Sequence, residues 1–163
     1  MATHEPSTAW PQSQAAIALP HNLWAAARAN GVAELDRLIQ AGWPIDERDH
    51  RGYAPLMLAA YAGHVEAVEL LLLRGADPNT TDLFGNTVLM GAAFKGHLAI
   101  VRRLLAAGAN PTTRNHGGLD ALGFAVTYGR ADVFAALRQY APARSEPDNA
   151  EPRELIPGAC SVV

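Results

Sequence analysis

Self-similarity at a step of 33 residues constrains this chain more than any other feature of its sequence. Gly52-Tyr53-Ala54-Pro55-Leu56-Met57-Leu58-Ala59-Ala60-Tyr61-Ala62-Gly63-His64 aligns with Gly85-Asn86-Thr87-Val88-Leu89-Met90-Gly91-Ala92-Ala93-Phe94-Lys95-Gly96-His97. At the same step, Leu71-Leu72-Leu73-Arg74-Gly75-Ala76-Asp77-Pro78 aligns with Leu104-Leu105-Ala106-Ala107-Gly108-Ala109-Asn110-Pro111. One step earlier, Leu23, Ala26, Ala27, Val32, Leu35, Leu38, Ile39 and Gly42 keep the register. One step later, Gly118, Leu122, Ala125, Gly129, Val133, Ala136 and Leu137 keep it. Four units follow, at about 20–49, 50–82, 83–115 and 116–148. The first lacks its leading turn, and the last has Ala141-Pro142 where a closing glycine would stand.

Each unit reads as a helix–turn–helix. In the second, a short helix over 55–62 carries the small residues Ala59 and Ala60 on its packed side. Gly63 then supplies a tight turn that a Cβ would resist. A longer helix over 65–74 places Val65, Val68, Leu71 and Leu72 three and four apart, on one apolar face. Gly75 stops that helix in the left-handed conformation, and Pro78 prevents it from resuming. The stretch from Asp77 to Gly85 has the Asn, Thr, Asp and Gly of a turn or hairpin. No such unit can bury its apolar face alone. Stacking closes one continuous core, and stability becomes a sum over neighbouring interfaces.

These residues resemble the ankyrin repeat family, over about residues 22–141. The resemblance implies an all-α ankyrin repeat solenoid of about four helix–turn–helix units joined by β-turn or hairpin loops. The family's Thr-Pro-Leu-His segment appears as Ala54-Pro55-Leu56-Met57, Thr87-Val88-Leu89-Met90 and Asp120-Ala121-Leu122-Gly123. Its histidine is absent each time, so Met57 and Met90 are expected to replace a polar contact by packing. Gly123 within a helix is expected to cost about 1 kcal/mol relative to alanine, which makes the fourth unit the first to fray. The segments 56–64, 91–96 and 124–130 look like small stand-alone bacterial ankyrin proteins, some linked to oxidative-stress functions such as catalase.

The bulk numbers exclude several classes. No apolar run approaches the roughly 20 residues of a membrane crossing. The first residues, Met1 to Pro6, carry no basic segment followed by an apolar one, which argues against a secretory signal. The single cysteine, Cys160, has no internal disulfide partner, and a cytoplasmic location is expected. With a net charge of −3 and no basic block, the chain offers no stripe for phosphates, so neither nucleic acid nor membrane is an expected partner. Only Lys95 among the 13 basic residues is a lysine; with abundant alanine, this fits a GC-rich bacterial coding sequence.

Chemistry-bearing constellations are weak. His64 and His97 occupy one repeat position and read as turn braces, while His50 and His116 lie in turns two units apart. No pair has metal-ligand spacing, and no metal or other cofactor is expected. There is no Gly-x-Ser-x-Gly elbow, phosphate-binding loop or dinucleotide fingerprint. The chain therefore reads as a non-enzyme, with a reactive Cys160 as the dissenting alternative. Residues 1–21 and 142–163 are proline-bearing flanks, expected to be disordered or to cap the stack through Ile17, Leu19, Leu155 and Ile156.

The family's partners contact turn tips and the exposed ends of the short helices. Carried over, that surface comprises Arg51, Tyr53, Tyr61, Phe84, Asn86, Phe94, Lys95, His116 and Tyr128, flanked by Ala62, Leu83, Leu119 and Thr127. Five of these are aromatic, in a chain with three tryptophans, four tyrosines and four phenylalanines. Aromatic anchors near Arg or Lys are what interface hot spots favour. The competing reading is that Tyr61 and Phe94 merely pack between adjacent short helices. The expected activity is protein binding by a monomer, as an adaptor or regulator. The alternatives are an immunity- or inhibitor-like neutraliser of one enzyme and, as the resemblance implies, an accessory protein in a bacterial catalase-linked oxidative-stress function.

Overall fold

The helix starts follow local chemistry. The computed structural model describes residues 22–140, which hold four helix pairs. The first is α1 (Leu23–Arg28) with α2 (Val32–Gln40), and the second is α3 (Pro55–Ala62) with α4 (Val65–Leu73). The third is α5 (Val88–Lys95) with α6 (Leu98–Ala106), and the fourth is α7 (Ala121–Thr127) with α8 (Ala131–Tyr140). Asn22 caps α1 by accepting the Ala25 N–H at 2.7 Å, and Asp120 caps α7 by accepting the Gly123 N–H at 2.7 Å. Pro55 opens α3, where its missing N–H costs nothing.

At α5 the expectation about methionine needs correction. The Thr87 hydroxyl accepts the Met90 N–H at 3.2 Å, and the Thr87 N–H donates back to the Met90 sulfur at 3.3 Å. Met90 therefore closes a capping box with its thioether, taking over a polar duty as well as packing. Met57, at the same register, is buried and packs, and Ala54 before its helix supplies no side-chain cap.

Within each pair, the chain reverses through one left-handed residue. Gly63 (φ 85°) and Gly96 (φ 82°) occupy equivalent bends, as the 33-residue register requires. Asn30 (φ 54°) stands at the same register in the first pair, where a short polar side chain tolerates this conformation. The longer helix of the second pair ends at Leu73, one residue before the expected end. Between pairs, Asp49, Asp82 and Asn115 share a register and organise the turn. Asp49 accepts the N–H groups of Arg51 and Tyr53 at 2.9 Å, and Asp82 those of Phe84 and Asn86 at 2.8 Å. Asn115 accepts the Leu119 N–H at 2.9 Å.

Two rows of helices result. The inner row, α1, α3, α5 and α7, packs side by side, and each member rests on its own partner in the outer row. Ala59, Ala60, Ala92 and Ala93 are wholly buried and let the inner helices approach closely. Leu56, Leu71, Leu89 and Leu104 fill the space between rows, each burial contributing about 1.5–3 kcal/mol. The seams between pairs are closed by hydrogen bonds at constant spacing. His64 Nε2–H donates to the Arg28 carbonyl at 2.8 Å, and Arg130 Nε donates to the Phe94 carbonyl at 3.1 Å. His64 thus braces the stack, and Arg130 does the same work at the histidine's register two units later. His97, between them, lays its ring against Gly63, where an added Cβ would lie 2.8 Å from that ring.

Candidate functional site

The inner helices and the inter-pair turns enclose an open trough of about 470 Å³ on the concave side. Arg51, Tyr53, Asp82 and Asn86 form the turn wall, and Tyr61, Phe94, Phe124 and Tyr128 form the helical wall. Met57, Leu58, Met90 and Gly91 lie between them, and Arg28 and Thr87 complete the lining. The helical wall is a continuous aromatic ladder. Tyr61 stacks on Phe94 with ring centroids 5.9 Å apart, Phe94 meets Tyr128 edge-on at 4.5 Å, and Tyr128 stacks on Phe124 at 6.1 Å. Lys95 holds its ammonium 4.5 Å from the Tyr61 ring centroid.

Six of the nine residues expected from sequence line this trough: Arg51, Tyr53, Tyr61, Asn86, Phe94 and Tyr128. Lys95 borders it through Tyr61 and Phe94. Two do not reach it. Phe84 stands at a turn tip, 66% exposed. His116 lays its ring over Gly85, where an added Cβ would lie 3.0 Å from it, so its side chain serves the seam between units. Asn86 lines the trough, but its amide is already engaged: it donates to Asp82 at 2.9 Å and accepts from Asn115 at 2.7 Å.

The packing reading of Tyr61 and Phe94 is right in one respect, since the rings support each other. Tyr61 nevertheless remains 46% exposed and Tyr128 47%, while Phe94 between them is half-buried. Sequence reasoning missed Phe124. Its signal was register: Leu58, Gly91 and Phe124 are equivalent positions, so the trough deepens where glycine falls between two large side chains.

Electrostatics differ between the faces. On the outer helices, Arg37 pairs with Glu34 at 2.6 Å, Arg74 with Asp36, and Arg103 with Glu69. At the trough, Arg28 pairs with Asp49 at 3.2 Å, while Arg51 and Lys95 pair with no carboxylate among the described residues. Burial is the largest single influence on the Asp49 carboxyl and pushes its pKa up. The N–H groups of Tyr53 and Arg51, with the charges of His50 and Arg28, outweigh burial and hold it below its ordinary value.

Among the described residues, no three His, Cys, Asp or Glu side chains could hold a metal together, and no helix is long and apolar enough to cross a membrane. Cys160, the capping candidates Ile17, Leu19, Leu155 and Ile156, and both flanks lie outside the described residues.

Stacked helix pairs with a turn-walled concave trough define a helical repeat scaffold. The chain belongs to the ankyrin repeat family. A family model described as ankyrin repeats (3 copies) matches residues 66–148, and one described as ankyrin repeats (many copies) matches residues 38–89. No curated protein matches the chain. Ankyrin repeats are generally protein–protein interaction modules and typically non-enzymatic.

Proposed function

We propose that this chain is a monomeric adaptor or regulator whose repeats, over residues 22–141, hold a partner protein in the concave trough. The observation that carries this reading is the ladder Tyr61–Phe94–Tyr128–Phe124, an aromatic wall that borders the trough with the Tyr61 and Tyr128 rings nearly half exposed. Rings supply large, rigid contact area at low entropic cost, and a preformed trough keeps the ordering penalty of binding small.

The experiment is affinity capture from the native organism, followed by affinity measurement on the captured protein with Tyr61→Ala and Phe94→Ala combined. The expected result is a loss of about 2 kcal/mol or more, roughly 30-fold in Kd, with the helical circular dichroism signal and a cooperative melt retained. Loss of the fold together with binding would show instead that the two rings serve packing.

A further inference from the structure

Three features of the trough bear on the chemistry of what it holds. The first is charge. The chain as a whole carries −3, yet the charges left uncommitted at the trough are the cations Arg51 and Lys95. The carboxylate in the lining, Asp82, is occupied by the N–H groups of Phe84 and Asn86 and by the Asn86 amide. Lys95 also sits over the aromatic wall, 4.5 Å from the Tyr61 centroid and 5.7 Å from that of Phe94. A cationic ligand seeking those rings would meet a cation already there, whereas a carboxylate would find one to pair with.

The second feature is a gap in the lining at Gly91. Leu58 and Phe124 fill the equivalent positions on either side, and only Tyr61, at 3.7 Å, approaches the place where a Gly91 Cβ would stand. The gap is bordered by apolar groups and suits one large apolar side chain. The third is length. The lining runs from Arg28 on α1 to Phe124 on α7 and Tyr128 just past its end, across all four inner helices. Inner helices about 8–10 Å apart span about 25–30 Å. An extended chain rising about 3.3 Å per residue needs about eight or nine residues to cover that distance.

We infer that the trough takes an extended acidic peptide segment of its partner, with one large apolar side chain seated over Gly91 and neighbouring carboxylates meeting Arg51 and Lys95. This rests on the interaction reading above and adds the class of segment recognised.

The test is selection of a displayed library of random peptides, about nine residues long, on the full chain. Enriched sequences are then resynthesised and titrated by fluorescence polarisation at low and high salt. Enrichment of Asp or Glu beside Leu, Met, Phe or Trp is expected, with binding that weakens at high salt. Affinity should fall at least about tenfold in Gly91→Leu and in the Arg51→Glu, Lys95→Glu double variant. Gly91→Leu places in α5 the side chain that Leu58 already carries in α3, and circular dichroism and a thermal melt check that it folds.

Basic or uncharged peptides that still lose affinity in Gly91→Leu would overturn the acidic class while leaving the trough as the binding face. Acidic peptides indifferent to Gly91→Leu would overturn the apolar seat. Peptides indifferent to Gly91→Leu and to the paired Tyr61→Ala and Phe94→Ala change would remove the trough reading as well. Absence of any enriched sequence would overturn recognition of a linear segment, and capture of a folded partner would then judge the interaction reading separately.

Discussion

The third and fourth helix pairs are built on one pattern, yet they sit differently in the stack. Around α5 and α6, Val88, Leu89, Ala92, Ala93, Ile100, Val101 and Leu104 are completely buried, because a pair packs on each side. Around α7 and α8 one side has no helix against it among the described residues. Val126, at the register of the buried Ala60 and Ala93, is 61% exposed. The same register thus gives opposite environments. Burial in this molecule is conferred by a neighbour rather than by a residue's own hydrophobicity, as expected where stability resides in interfaces between units.

The largest test of that contrast is a matched pair of truncations. Leu104 and Leu137 share a register and both are completely buried. Leu104→Ala should cost about 2–5 kcal/mol in urea-induced unfolding. Leu137→Ala should cost clearly less, because the end pair opens locally at lower cost. Amide exchange should be fastest in α7 and α8. Equal losses at the two leucines, or best protection in the fourth pair, would refute the contrast.

A smaller effect separates the two helical glycines. Gly91 has room for a Cβ, so Gly91→Ala should stabilise by about 1 kcal/mol, seen as a higher Tm. At Gly123 the added Cβ would lie 3.2 Å from the Leu119 side chain and 3.3 Å from the capping oxygen of Asp120. Gly123→Ala should therefore recover little or none of the same gain. A Tm rise there as large as at Gly91 would show that the crowding is relieved at no cost.

The smallest effect concerns pH. Asp49 titrates below its unfolded value, so its contribution to stability is complete above the unfolded pKa and is lost as pH falls through the folded one. Asn115 performs the equivalent turn duty in the fourth pair with a group that does not titrate. Asp49→Asn should keep the turn and make urea midpoints fall less steeply below about pH 4. An unchanged acid slope would mean that other carboxylates set it.

The repeat period carried nearly all of the fold. Helix pairs, stopping glycines and the buried leucines were legible because stacking demands the same residue types at the same step. The wall of the candidate site was legible where aromatic residues fell on positions the core does not require, as with Tyr61, Phe94 and Tyr128. It was obscure where one residue's environment depends on the next unit. His116 looks like a turn-tip contact until its ring is seen to cover Gly85, and Asn86 looks free until Asn115 claims its amide oxygen. Arg130 was the converse: it stands one step beyond His97, so its bracing duty could have been read from register. The thioether cap at Met90 had no such signal, since Met57 occupies the same register without it.

The run of positions Leu58, Gly91 and Phe124 gives the molecule a separable control. The residues at these positions set how deep each part of the cleft is, while the carbonyls and glycines that lock one layer to the next lie at other registers of the repeat. The shape of the cleft can therefore be retuned one layer at a time, without renegotiating how the layers hold together.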